Sequence, residues 1–249
     1  MHFSLCSIVL LAACLLLSFN GKSKQTITFG TGIFPPDMFI DPESGRCSGH
    51  IIDTVNKIFI ESDFLLQAVC PSAARIYRML ENDEIDLIVN VTTTAQLEGL
   101  VTFVTLPYRE LNISLFNHQD NKLSKTVSAV RGYQYNGERK RLLSQGFEFY
   151  DLPDSANALQ FFLKKRSAYI LTYREPFIYM LNNSATTFEH NIEEKRLSSL
   201  TNHFAISNKS AMFDQIKSAL HHYATKHERK YFLDDDAMNL YLSDKDSKQ

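Results

Sequence analysis

Apolar and polar positions change period several times along the chain, and each change marks a boundary between a strand and a helix. Residues 26–32, TITFGTG, alternate and are rich in β-formers, predicting a first strand that ends in a glycine loop. Pro35, Pro36, Pro42 and Gly45 then supply a run of turn signals. From His50 to Glu61 the apolar residues Ile51, Ile52, Val55, Ile58 and Phe59 recur at helical spacing. Residues 64–70, FLLQAVC, predict a short buried strand, and Ser72 is placed to cap a helix carrying Ile76, Met79 and Leu80. IDLIVNV, residues 85–91, completes a β-α-β-α-β pattern, the signature of a parallel sheet with right-handed crossovers.

The pattern then repeats with other residues. Strands are predicted at residues 126–130, 147–152, 167–171 and 203–207. Helices are predicted around residues 138–144 and around Leu159, Phe162 and Leu163. A last helix places Met212, Phe213, Ile216, Ala219, Leu220 and Tyr223 on one stripe. The expected fold is α/β with two lobes, each a mainly parallel sheet flanked by helices. Residues 24–118 and 203–249 form the first lobe in this reading, and residues 119–202 the second. The chain crosses between them near Asn117–Ser124 and Ser199–His203.

The N-terminus has another character. Residues 4–19, SLCSIVLLAACLLLSF, are apolar, too short for a typical membrane span, and followed by polar residues. Residues 1–23 therefore read as a secretory signal peptide, with export to a bacterial periplasm. Two alternatives are an uncleaved anchor and a lipid anchor at Cys14, the latter opposed by the leucines that follow that cysteine. Export removes Cys6 and Cys14 and leaves Cys47 and Cys70, so one disulfide is expected. The alternative is a pair of free buried thiols. Neither residue has a Cys-x-x-Cys partner, and no metal or cofactor is expected. A formal net charge of -2 argues against broad attraction to nucleic acid or anionic membrane, and a monomer is expected.

Several short stretches occur in a recognisable order. They are the pair Pro35-Pro36, GHIIDTV from Gly49, LENDEIDLIV from Leu80, LPY ending at Tyr108, and KKRSAYIL from Lys164. In this order the chain resembles family 3 of the bacterial extracellular solute-binding proteins, the polar amino-acid receptors of ABC importers. The resemblance spans essentially the whole chain after the signal segment. It implies a type II periplasmic-binding-protein clamshell that closes over a small ligand, and a membrane permease as partner. Ligands of open α/β sheets sit beyond the carboxyl ends of strands. The candidate ligand-binding residues at those ends are therefore Phe34, Asn90, Thr92, Thr93, Thr94, Arg131, Gly132, Thr172 and Tyr173, joined by Tyr108 as a further ligand-binding candidate and by Tyr133, both as aromatic neighbours. The competing reading of each is a loop residue satisfying its own backbone.

The chain departs from the family pattern at two points. The arginine that grips a ligand carboxylate would fall at Gln96, Leu97 or Glu98, and none of these supplies a cation. The aspartate that receives the ligand ammonium would fall at Thr172. An unmodified α-amino acid is therefore not the expected ligand. Hydroxyl, amide and aromatic groups suit a neutral or weakly charged polar molecule with a flat part. Arg131 beside Gly132 could take an anion or serve as a solvated hinge residue. Arg75, Arg78 and Arg174 are the other cations near the cleft in this reading, with Arg75 and Arg78 read as lying on a solvated helix face. The chain lacks Gly-x-Ser-x-Gly, His-Glu-x-x-His and Gly-x-x-x-x-Gly-Lys, and His221-His222 and the carboxylates of 234–236 read as surface and cap. A non-enzymatic binder is thus expected. The alternatives are a sensory or partner-binding module without transport, and a lyase-like enzyme on the same fold.

Overall fold

The computed structural model describes residues 24–60, 62, 64–119, 124–183 and 192–233. The apolar N-terminal segment read as a signal peptide, with Cys6 and Cys14, and the acidic stretch of 234–236 lie outside the described residues.

Strand β1, Gln25–Gly30, buries Ile27 and Phe29 and pairs in parallel with β4, Phe64–Val69, and with β5, Leu87–Val91. Helices α1, His50–Phe59, and α2, Ala73–Glu81, make the crossovers, as the alternating periods predict. A small hairpin of β2, Phe39–Ile40, and β3, Cys47–Ser48, sits before α1. The second lobe contains β7 (Thr126–Val130), α3 (Glu138–Ser144), β8 (Glu148–Leu152), α4 (Ser155–Leu163), β9 (Tyr169–Tyr173) and α5 (Arg174–Asn182). There β7 pairs in parallel with both β8 and β9.

Two strands exceed anything predicted. β6 spans Val101–His118 and β10 spans Ile192–Ser207, and they pair antiparallel along most of their length. The complete sheet runs β4-β1-β5-β10-β6-β9-β7-β8. At one end of the ribbon β10 pairs with β5 of the first lobe, and at the other end β6 pairs with β9 of the second. The passage between lobes therefore falls inside these strands. Ile113, Leu115 and Phe116 pack into second-lobe cores, whereas the sequence reading closes the first lobe at residue 118.

The first-lobe core gathers Ile27, Phe29, Val55, Phe204, Ile216 and Leu220, joining β1, α1, β10 and the final helix α6, Phe213–Lys226. Ile76, Leu80, Ile85, Ile88 and Ala205 fill a second first-lobe cluster. In the second lobe, Leu115, Val127 and Leu171 share one cluster, and Phe116, Phe162 and Phe177 another.

Cys47 and Cys70 are bonded, with Cα atoms 5.9 Å apart and a sequence separation of 23. The bridge ties the hairpin to the end of β4. Changing both cysteines to serine is expected to lower stability by about 3 kcal/mol, because a loop of this size is released in the unfolded chain. Urea unfolding of the oxidised protein and the double variant measures the difference; equal midpoints would contradict it.

Gly49 fixes the entry to α1. Its φ is 126°, and a Cβ there would collide with the backbone oxygens of Pro36 and Asp37. Ile51 N–H donates to the Asp37 carbonyl at 3.1 Å. The proline-rich loop is thus pressed onto the start of the helix, which sets the position of the Asp37 side chain.

Candidate functional site

A cavity of about 480 Å³ lies between the lobes. It is built at the carboxyl ends of β1, β5 and β7, where loops leave a parallel sheet. The first lobe contributes Thr31 to Phe34 after β1, Tyr77 of α2, and Asn90, Thr93, Thr94 and Gln96 around the loop after β5. The second contributes Arg131 to Asn136 after β7 and Tyr173 at the end of β9. Leu111, Leu200 and Asn202 of the crossing strands form its floor.

Seven of the sequence candidates line this cavity: Phe34, Asn90, Thr93, Thr94, Arg131, Gly132 and Tyr173. Asn90 also organises its own loop. Its Oδ1 accepts from Thr94 Oγ1 at 2.9 Å and from Val91 N–H at 2.8 Å. Three candidates lie elsewhere. Thr92 is exposed beside the cleft without lining it. Tyr108 is 0% exposed in the first-lobe core, edge-to-face with Phe204 at 5.6 Å between ring centroids. Thr172 is buried in the sheet opposite Ser114, because strand neighbours face opposite sides and Tyr173 takes the cleft side.

The expected cation slot is filled as its residue types dictate. Leu97 ends a 3-10 turn and is buried in the core, Gln96 lines the cavity, and Glu98 is exposed outside it. Arg75 and Arg78 are exposed on α2 and do not line the cavity. Arg174 pairs with Glu194 at 3.1 Å. Among the described residues, Arg131 is the one basic side chain in the lining, and it belongs to the second lobe.

Aromatic rings dominate the walls. Phe34 meets Tyr173 across the cleft at 5.3 Å, and Tyr135 and Tyr133 continue the cluster at 5.5 and 6.3 Å from Tyr173. Tyr135 holds its place by accepting from Val130 N–H at 3.0 Å. Burial pushes the hydroxyls of Tyr133 and Tyr173 above the usual phenol range. Burial raises Tyr77 too, and a hydrogen bond with Asn90 opposes the rise. At neutral pH these groups are therefore uncharged donors and acceptors.

Sequence reasoning missed the charged groups beneath the cleft. Asp37, which edges the cavity, and Arg109 of β6 are each 3% exposed. Arg109 Nη1 donates to both Asp37 oxygens at 2.9 and 3.0 Å. Its Nη2 lies 3.5 Å from Glu175 in the first turn of α5. Burial pushes the Asp37 carboxyl up, and Arg109 pulls it back. Burial also works against the Arg109 charge, but Asp37 and Glu175 outweigh it and raise the guanidinium. The one available signal was a lone acid after Pro35-Pro36 and a lone arginine within an apolar run.

Two open α/β lobes on a shared strand pair, with a cleft at their strand ends, define a type II periplasmic-binding-protein fold. No protein-family model and no curated protein sequence matches the chain. Solved structures do match it. The GluR0 ligand-binding core in complex with L-glutamate has a TM-score of 0.68 at 16% identity, covering 89% of this chain and 100% of that one. An ancestral arginine-binding protein bound to arginine gives 0.68 at 18%, over 89% and 100%. A histidine kinase sensor domain with similarity to periplasmic binding proteins gives 0.68 at 15%, over 89% and 98%. The resemblance to family 3 solute-binding proteins read from the sequence agrees with these structures. At such identities the likeness establishes the fold.

Proposed function

We propose that the protein is a solute-binding module that captures a small polar ligand between its lobes, and that this ligand is not a standard α-amino acid. One observation carries the reading. The cleft wall after β5, where the family resemblance expects a carboxylate-gripping arginine, offers hydroxyl and amide groups without a cation. The remaining lining is largely phenolic and apolar, which suits a neutral or weakly charged molecule with a flat part that packs against Phe34, Tyr133 and Tyr173. The disulfide and the apolar leader support an exported, periplasmic protein. In that setting it would deliver its ligand to an ABC-importer permease. Likeness to a histidine kinase sensor domain favours a second reading, a sensory module without transport.

Calorimetry with the twenty standard amino acids on refolded, ligand-free protein tests the proposal. A ligand carboxylate held by the wall after β5 would be buried with no positive partner on that wall, at a cost of several kcal/mol, so all twenty are expected to bind weakly or not at all unless Arg131 reaches across. A submicromolar constant for any of them would overturn it. A thermal-shift screen over neutral metabolites is expected to yield a stabilising ligand, since saturation at 100 times the dissociation constant adds about 2.7 kcal/mol. Tyr173→Ala is expected to weaken that ligand about tenfold or more; unchanged affinity would place binding outside the cleft.

A further inference from the structure

The lobes are tied to each other by contacts the chain makes with itself. Asp37 belongs to the first lobe, Arg109 to the crossing strand β6, and Glu175 to the first turn of α5 in the second lobe. On the first-lobe side Arg109 is anchored twice, through its guanidinium to Asp37 and through its backbone N–H to Asn202 Oδ1 at 3.2 Å. On the second-lobe side Glu175 Oε1 accepts from Asn112 Nδ2 at 2.9 Å. The short stretch from Arg109 to Asn112 thus has one end fastened to each lobe. The 3.5 Å approach of Arg109 to Glu175 bridges it.

We propose that Asp37, Arg109 and Glu175 form a clasp across the hinge, which biases the lobes toward the closed arrangement before a ligand contributes, with Glu175 as the part that releases. Bending of the crossing strands between residues 109 and 112 carries Glu175 away with Asn112 and leaves Arg109 on Asp37. The Arg109–Asp37 pair has two short bonds and full burial, so the longer contact yields first. Two opposing effects balance the clasp. Attraction to Arg109 favours closure. Glu175 Oε2 is buried without a hydrogen bond among the described residues and regains water when the lobes part. Two ring contacts reinforce the closed side, Phe34 with Tyr173 and, from the hairpin, Phe39 stacked on Tyr179 at 6.2 Å. A hinge poised between two packed states is shifted by small differences in interaction energy.

Small-angle scattering of refolded, ligand-free protein tests this, with no ligand needed. Glu175→Gln keeps the size of the side chain and removes its charge. It is expected to shift the closed-to-open ratio toward open by about tenfold, between the weights of an exposed and a buried ion pair. The radius of gyration then rises above that of the parent. Glu194→Gln is the control, since Glu194 pairs with Arg174 inside the second lobe, and its scattering is expected to match the parent. Phe39→Ala lies outside both cores, and it is expected to expand the protein in the same direction if Glu175→Gln does not fold. Parent-like curves for the Glu175 and Phe39 variants, or equal expansion of the Glu175 and Glu194 variants, would overturn the proposal. Its failure would leave the cleft reading intact, because calorimetry decides that separately.

Discussion

Replacing Arg109 with methionine is expected to lower the free energy of unfolding by about 3–5 kcal/mol, the range for removing one partner of a buried ion pair. The variant leaves Asp37 as a buried carboxylate and Glu175 as a partly buried one, with no guanidinium between them. Asp37 is the larger problem, because Arg109 donates to both of its oxygens. A double variant that also carries Asp37→Leu is expected to recover most of the loss, since an apolar pair needs no partner. Urea unfolding followed by circular dichroism measures both. A loss below about 1 kcal/mol for Arg109→Met would mean that water reaches the pair, as in an exposed salt bridge.

Phe204→Ala is expected to cost a similar amount, about 3–5 kcal/mol, through the cavity it leaves. Phe204 is fully buried on β10 and packs against Phe29, Tyr108 and Phe232, with ring centroids 6.4, 5.6 and 4.9 Å away. Those rings come from β1, β6 and the segment after α6, so one side chain joins distant parts of the chain. It does not line the cleft. The variant should therefore unfold at lower urea while the folded fraction binds ligand as the parent does. A cost under about 1.5 kcal/mol would show that the aromatic cluster collapses onto the gap.

Much of this architecture is legible in the sequence, and for a definite reason. The elements of each β-α-β unit face one environment along their length, so their period is clean. Thr126–Val130 and Glu138–Ser144 are found where the pattern predicts them. β6 and β10 are different. Each runs through two lobes, with one set of neighbours at one end and another set at the other, so no single alternation survives. Pro107, Arg109 and Glu110 further interrupt β6 as a recognisable strand. The cleft shows the same division. Phe34, Asn90, Arg131 and Tyr173 were legible because they end strands, where backbones splay and loops begin. Tyr108 reads as an aromatic neighbour of the cleft, although its ring belongs to a core. Thr172 shares a strand end with Tyr173 and differs from it by one step of the pleat. Asp37 and Arg109 were illegible because a charge in an apolar run looks solvated until its partner is known, and theirs is 72 positions away.

The sheet order has a consequence for how the molecule is made. β10 lies between β5 and β6 and is emitted from the ribosome long after both. Until it arrives, β5 lacks its neighbour on that side, and Phe29 and Tyr108 lack Phe204. Most second-lobe strands and helices, by contrast, come from one uninterrupted stretch after β6. The half of the protein translated first is thus the half completed last. A nascent chain stopped before residue 192 would hold a first lobe with a missing central strand, open to capture by chaperones and proteases.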